Sequence, residues 1–126
     1  MKRIYFAIIF LIISISFAFF ESYYVSTHTY NISTKIEYAD NSMKENNFQK
    51  AYRTISEIQN EWEDKAWIVD IMLIHDYADT ISIDLASMSS YAKNNNYDEY
   101  FSESETIKKQ LASLKESELL SLENIL

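Results

Sequence analysis

The chain has 126 residues and a formal net charge of −8, and it contains no Gly, Pro or Cys. Without Gly and Pro, tight hairpin turns are disfavoured, which argues against a multi-stranded sheet and predicts an all-α fold of one modest domain. Without Cys, disulfides, thiolate metal sites and Cys nucleophiles are excluded.

The charge is unevenly placed. Lys2 and Arg3 are the only charged residues before Glu21, so residues 21–126 hold 9 Lys and Arg against 19 Asp and Glu, a net charge of −10. Such a domain repels phosphate backbones and anionic lipid headgroups. We therefore predict no nucleic-acid partner and no electrostatic attachment to a membrane surface.

The N-terminal segment is apolar after a basic start. Residues 4–20 read IYFAIIFLIISISFAFF, which is at the short end for a membrane-spanning helix. A cleaved signal peptide has the same features, and Ser16-Phe17-Ala18 loosely fits its small-x-small cleavage site. The bulky Phe19-Phe20 that follow, with neighbouring aromatic residues typical of a membrane interface, favour a retained anchor instead.

We therefore predict an N-terminal membrane anchor over residues 1–21, with the lipid bilayer contacted through residues 4–20. The basic flank lies in the cytoplasm, since Lys and Arg favour that side of a membrane. Residues 22–126 then form an acidic, extracytoplasmic helical domain of a single-pass protein of the cell membrane.

The anchor helix is predicted to continue outward to about Glu45, because apolar or small residues recur in steps of four and three. These residues are Val25, Thr29, Ile32, Ile36, Ala39 and Met43. Asn46-Asn47 supplies the first turn, since Asn suits helix caps and left-handed positions. A second helix then runs from Phe48 to about Glu63, with Phe48, Ala51, Tyr52, Ile55, Ile58 and Trp62 on one face.

A long helix over about Trp67 to Lys93 is predicted to organise the rest of the chain. Its buried stripe consists of Trp67, Ile71, Ile74, Ala78, Ile81, Leu85, Met88 and Ala92. The turn before it, near Asp64-Lys65, is the weakest predicted boundary, because nothing there forbids a continuous helix. Asn94-Asn95-Asn96 ends the long helix with the same capping chemistry as the first Asn pair.

A fourth helix is predicted from Tyr97 to about Lys115, and Ser117 can cap a short final segment, Glu118 to Leu126. The buried stripe of the fourth helix is Tyr100, Ser104, Ile107, Leu111 and Leu114. The fold class is therefore an N-terminal transmembrane helix that continues into an antiparallel helical bundle of about four helices plus a short C-terminal helix. The leucine-rich tail is expected to close the base of the bundle near the bilayer.

A faint repeat relates Lys44–Trp62 to Lys93–Leu111. Two similar helical hairpins would produce this repeat. The shared demands of two helix–helix turns would produce it equally, and we favour that interpretation slightly.

Few residues suggest chemistry. His75 and Asp79 are four residues apart, on one helix face, and form either a metal-binding or proton-transfer pair or an ordinary polar contact at a helix interface. The second interpretation is favoured because no further His or Cys completes a zinc set. Trp62 and Trp67 flank the second turn and are predicted to pack at that corner.

The predicted long helix is apolar on more than one side. Val69, Met72, Leu73 and Ile83 lie off its buried stripe. Such a helix is touched by several neighbours, or it offers a groove to a partner. Trp62, Trp67, Val69, Met72, Leu73, His75 and Asp79 are therefore the candidate interaction or polar-core positions.

The chain resembles a family of short, single-span membrane-anchored proteins of unknown function from endospore-forming Gram-positive bacteria. The resemblance is carried by Asn47-Phe48-Gln49-Lys50-Ala51, Glu61-Trp62-Glu63, Trp67, Ile74-His75-Asp76 with Asp79, Leu85-Ala86 and the terminal Leu122-Glu123-Asn124-Ile125-Leu126. Tyr77 and Ala78 stand where the family has a further acidic residue. The resemblance implies an anchored extracytoplasmic helical domain, and it supplies no catalytic residues because the family has no established activity. Its members are similar in setting to small accessory proteins encoded beside multi-span membrane proteins.

We therefore expect a non-enzymatic accessory protein that partners a membrane or envelope protein and holds no metal or other cofactor. The missing Gly-bearing nucleophile turn and phosphate-binding loop disfavour an enzyme. The alternative is a metal- or small-ligand-binding sensor domain centred on His75 and Asp79.

Overall fold

The computed structural model describes the backbone of residues 1–72 and 75–125, and the side chains of residues 1–68, 78–117, 120, 123 and 124. Within these residues the chain is all-α. It forms α1 (Lys2–Lys44), α2 (Phe48–Met72), α3 (His75–Lys93) and α4 (Tyr97–Ile125). The main contacts join α1 to α2 and α4, and α3 to α2 and α4.

One hydrophobic core lies between the four helices. It contains Ile32, Ile36, Ala39 and Met43 from α1, Ala51, Ile55, Ile58 and Trp62 from α2, Ala78, Ile81, Leu85, Met88 and Ala92 from α3, and Tyr100, Ile107, Leu111 and Leu114 from α4. The predicted stripes of α1 and α4 are therefore confirmed, as is the stripe of α3 from Ala78 onward. Ile71 and Ile74, predicted for the same stripe, lie outside the described side chains.

The two Asn turns are built alike. Asn46 and Asn95 have φ angles of 60° and 58°, in the left-handed region. At the first turn the Asn46 N–H donates to the Met43 carbonyl and the Asn47 N–H to the Ser42 carbonyl. This is the Schellman pattern, with Asn in the place that Gly usually takes, as predicted. The second turn repeats it, with Asn96 bonded to Tyr91.

The predicted turn at Asp64-Lys65 is wrong. The second helix continues through both residues to Met72, and the third begins at His75 rather than near Trp67. Neither Asp64 nor Lys65 interrupts backbone hydrogen bonding, and the Lys65 ammonium lies 3.7 Å from the Glu61 carboxylate one turn earlier. Such a pair supports a helix across the position where the turn was expected.

The predicted break at Ser117 is also wrong, because α4 runs without interruption to Ile125. Ser117 is exposed, and no Gly or Pro lies near it to stop the helix. The short C-terminal helix is thus the last part of α4.

Burial along α1 divides the helix into two parts. Side chains from Met1 to Phe20 are exposed or half-exposed, whereas buried positions begin at Ser22 and Val25. In the part of the chain that the structure describes, α1 is the one helix long and apolar enough to cross a membrane, and its apolar stretch is covered by no other helix.

Candidate functional site

The predicted site residues fall into three groups. Trp62 is buried, with 1% of its surface exposed, and its indole N–H donates to the Ala78 carbonyl at 3.2 Å. Trp67 and Asp79 are exposed on α2 and α3. The side chains of Val69, Met72, Leu73 and His75 lie outside the described residues.

Trp62 therefore packs as predicted, whereas Trp67 does not. Trp67 is 63% exposed. Five residues along a helix correspond to a rotation of about 140°, so Trp67 faces away from the core that Trp62 enters. The prediction that both tryptophans fill one helix corner is wrong for Trp67, since no corner exists there.

A stack of rings joins α1 to α2 at the end of the core nearest the apolar run, which we call the lower end. His28 lies parallel to Trp62, with ring centroids 5.3 Å apart and an interplanar angle of 9°. Tyr24 stacks with His28 at a centroid distance of 5.7 Å, and Phe20 stacks with Tyr24 at 6.4 Å. The four rings form a continuous column from the end of the exposed apolar run into the core.

Two polar atoms in this column have no hydrogen-bond partner among the described residues. They are the hydroxyl oxygen of Tyr24 and Nε2 of His28, both buried. Burial lowers the pKa of His28, the positive charge of Lys65 lowers it further, and the Glu61 carboxylate opposes the change. His28 is therefore held in its neutral form at pH 7.

Charged residues lie at the rim of the column. The Lys35 ammonium donates a hydrogen bond to one oxygen of the Glu61 carboxylate. The Lys65 ammonium lies 3.7 Å from the other oxygen. The hydrogen bond from Lys35 lowers the pKa of Glu61, although partial burial opposes it. Because the Lys35 and Lys65 side chains are about half exposed, these pairs contribute little to stability and mainly fix the position of the carboxylate.

A second polar cluster joins α1 to α4 in the upper part of the core. Asp40 is buried, and its two carboxylate oxygens lie 2.9 and 2.8 Å from the Ser104 hydroxyl that donates to them. The Lys108 ammonium donates to the same carboxylate at 2.7 Å. Burial disfavours the charge of Lys108, but the hydrogen bond and the charge of Asp40 outweigh it, so the pKa of Lys108 is raised.

Tyr100, Glu103 and Gln110 are further polar residues of α4 that lie near carboxylates of other helices. Burial, and then the negative charge of Asp40, raise the pKa of Tyr100 far above its usual value. Between α3 and α4, the Gln110 amide donates to Asp84 at 2.8 Å. Burial and then the neighbouring Asp84 raise the pKa of Glu103. These contacts connect helices, so their direct effect is to fix the helices relative to one another.

A shallow groove of about 180 Å³ opens beside the Asp40 cluster, between α1 and α4. It is lined by Thr29, Tyr30, Ser33, Lys108, Leu111, Ala112 and Lys115. Tyr30 is exposed at its edge, and Lys115 is exposed at its lower end. The groove therefore combines the Tyr30 ring, two further hydroxyl-bearing residues and two ammonium groups, in a domain whose net charge is negative.

Among the residues that the structure describes, no group of three or more His, Cys, Asp or Glu side chains is placed to hold a metal ion. The pairing of His75 with Asp79 is untested, since the His75 side chain lies outside them. The sensor alternative therefore stays a prediction.

The ring column and the Asp40 cluster were missed from sequence. No role is predicted for His28 from the sequence, yet Phe20, Tyr24 and His28 follow one another at intervals of four, which places them in a row on one helix face. Ser104 was assigned to a buried stripe, and a buried hydroxyl requires a partner. Those two signals were present, but they do not identify Trp62 and Asp40 as the partners from other helices.

Comparison with known proteins gives one assignment. No curated protein and no solved structure matches the chain. A known family matches residues 19–125, which include all the core-forming parts of the four helices and omit nearly all of the apolar run. The chain belongs to this family, described as a domain of unknown function (DUF4363).

Proposed function

We propose that this protein is a non-enzymatic, membrane-anchored accessory protein whose helical bundle stands outside the cytoplasm and binds another membrane or envelope protein. Residues 4–20 cross the bilayer, the N-terminus is cytoplasmic, and residues 22–126 are extracytoplasmic. The resemblance to anchored proteins of endospore-forming bacteria supports the same setting.

The observation that carries the proposal is the continuity of α1. One uninterrupted helix contains both the exposed apolar run and the residues from Val25 to Met43 that form one side of the core. Residues 4–20 expose Ile and Phe side chains that water solvates poorly, and a bilayer would cover them. A helix without a break would hold the domain at a constant height above the membrane.

The partner surface is best sought in the groove between α1 and α4. Tyr30 is an exposed aromatic residue of the kind that is enriched where proteins bind one another. Lys115 places a positive charge at the lower end of the groove, whereas the charge of Lys108 is compensated by Asp40. An acidic segment of a partner therefore matches the end of the groove at Lys115.

The absence of Cys provides a direct test of topology. A single Cys at exposed Ser90 of α3 is expected to react with a membrane-impermeant maleimide added to intact cells. A single Cys at Lys2, before the apolar run, is the matched control and should react only after the cells are opened. The reverse pattern would refute the orientation, and recovery of a mature chain that begins near Phe19 would refute the anchor.

Partner binding is tested by photo-crosslinking in the native membrane. A photoreactive residue at Tyr30 should give a discrete crosslinked product, because Tyr30 borders the groove. The same residue at Arg53, exposed on α2 away from the groove, serves as the control and should give little or none. If neither position, nor Trp67, gave a product above background, the proposal of a protein partner would lose its support.

A further inference from the structure

Three exposed residues on three different helices lie at nearly the same height, just above the end of the apolar run. They are Tyr23 on α1, Trp67 on α2 and Leu120 on α4, with exposed fractions of 73%, 63% and 60%. Each is large and apolar or aromatic, and each points away from the core. Their common height follows from the contacts between the helices.

The height of Trp67 follows from the ring column. α1 and α2 are antiparallel, since Lys50 near the start of α2 lies over the Tyr38 ring near the end of α1. Trp62 lies beside His28, so five residues further along α2 correspond to five residues back along α1. Trp67 is therefore level with Tyr23.

The height of Leu120 follows from the Asp40 cluster. Ser104 and Lys108 of α4 both contact Asp40 of α1, and the Lys44 ammonium lies over the Phe101 ring, so these helices are also antiparallel. Leu120 is 16 residues beyond Ser104 and 12 residues beyond Lys108. The same numbers of residues counted back from Asp40 along α1 reach Tyr24 and His28, so Leu120 is level with α1 between these two residues. It is thus between about 1.5 and 7.5 Å above Tyr23 along the helix axis.

The length of the apolar run indicates which part of a bilayer lies at the height of Tyr23, Trp67 and Leu120. Residues 4–20 span about 26 Å as a helix, whereas the hydrocarbon core of a bilayer is about 30 Å thick. Tyr23 lies only about 5 Å beyond Phe20 along the helix axis. The first turn after the apolar run is therefore at the boundary between hydrocarbon and headgroups, where Trp and Tyr are enriched in membrane proteins.

We propose that Tyr23, Trp67 and Leu120 form an interfacial collar around the lower part of the helical domain, seated in the headgroup region of the outer leaflet. This inference rests on the proposed anchor. The domain is strongly acidic, and Glu63 and Asp64 are exposed on α2 close to Trp67. The collar therefore fits zwitterionic lipid better than anionic lipid, and its contact is aromatic and apolar rather than electrostatic.

The collar accounts for the exposure of Trp67. The sequence predicted a packed corner at Trp67, and the structure instead exposes a Trp five residues beyond the buried one. An exposed Trp is unfavourable in water and favourable at a membrane interface, since its ring is apolar and its N–H can bond to headgroups or water.

Fluorescence quenching in vesicles tests the collar with the full-length protein. The chain has two tryptophans, of which Trp62 is enclosed in the core. In phosphatidylcholine vesicles that carry bromine on the acyl chains near the headgroups, we expect strong quenching of Trp fluorescence. Trp67→Phe should remove most of that quenching, because only enclosed Trp62 then remains.

A second variant provides the matched control. Ile83 of α3 is 65% exposed, and the contact of Trp62 with Ala78 places it about 20 Å above Phe20. In the background of Trp67→Phe, Ile83→Trp should be quenched by acrylamide in the water and not by the brominated lipid.

The possible outcomes separate the collar from the anchor. Failure of the protein to float with the vesicles overturns both. Flotation with Trp67 quenched by acrylamide alone leaves the anchor standing and overturns the collar. Flotation with Trp67 protected from both quenchers also overturns it, because protein, such as a second copy of the chain, then covers the residue instead of lipid.

Discussion

His28 is a buried side chain whose charge the fold disfavours. It stacks with the rings of both Tyr24 and Trp62, and its Nε2 atom has no hydrogen-bond partner among the described residues. A proton on this ring would place a positive charge in an apolar column near Lys65, and the nearest compensating charge is Glu61 at the rim. Neutral His28 therefore packs as an aromatic ring.

We predict that the domain becomes less stable as the pH falls below about 6.5. The pKa of His28 is lowered in the folded state, so the unfolded chain takes up the proton first. The full stability is present above the ordinary His pKa of 6.5 and is lost as the pH falls toward the folded value. Each unit of depression corresponds to about 1.4 kcal/mol.

The measurement is urea unfolding, followed by circular dichroism, of wild type and His28→Phe at about pH 7.5 and about pH 5.5. Phe keeps the stacked ring and cannot be protonated, so the variant should lose less stability between the two conditions. The difference between the proteins cancels His75 and the carboxyl groups, which both contain. An equal loss in both proteins would show that His28 is accessible to protons without cost.

The ion pair of Lys108 with Asp40 differs from the two exposed pairs at Glu61, because the Asp40 carboxylate is buried. We predict that Lys108→Met lowers the free energy of unfolding by about 2–3 kcal/mol, since it leaves the buried Asp40 carboxylate without the ammonium group that compensates its charge. Lys109→Met, at the exposed neighbouring position, should change it by less than about 0.5 kcal/mol. Urea titration of both variants makes the comparison, and Asp40→Asn combined with Lys108→Met should recover part of the loss.

The turn between α1 and α2 and the turn between α3 and α4 each depend on one asparagine in a left-handed conformation. We predict that Asn46→Gly raises the free energy of unfolding by up to about 0.5–1 kcal/mol, because Gly adopts the left-handed φ of 60° without a steric penalty. Glu45→Gly, one residue earlier at a φ of −81°, should lower it instead, since Gly there only adds freedom to the unfolded chain. Thermal unfolding of the two variants should shift in opposite directions. A shift in the same direction would mean that Asn46 stabilises the turn through its side chain.

The helical stripes and the Asn turns were predictable because their signals are local. Val25 to Met43 repeats at helical spacing, and Asn46 and Asn95 are the best available residues for a left-handed position in a chain without Gly. The boundary between α2 and α3 was misplaced because no residue between Glu63 and Trp67 breaks a helix. Hydrophobic spacing alone does not show where the chain reverses direction when the helical pattern continues without a break.

The candidate sites were less predictable because their members come from different helices. The sequence shows Ser104 and Asp40 separately, and only the packing of α4 on α1 brings them within hydrogen-bond distance. The same holds for His28 and Trp62. The exposure of Trp67 follows from its helical phase relative to Trp62, which is readable only once the two residues are known to share one helix.

The molecule as a whole depends on α1, a single helix whose two parts differ in burial. Its first part exposes apolar side chains, and its second part supplies one side of the core. The core needs only the second part, since no residue before Ser22 is buried. The domain should therefore fold without the apolar run.

We predict that a chain beginning at Glu21 keeps the helical circular dichroism and a cooperative thermal transition. A chain beginning at Ser33 provides the comparison, since it also lacks Val25, His28, Thr29 and Ile32, all buried. Each buried aliphatic side chain contributes about 1.5–3 kcal/mol, and removal of His28 also exposes one face of Trp62. Because a small domain is stable by only about 5–15 kcal/mol, this second deletion should abolish the transition. Cooperative unfolding of the chain from Ser33, at a temperature similar to that of the chain from Glu21, would show that the core does not depend on the lower half of the packed part of α1.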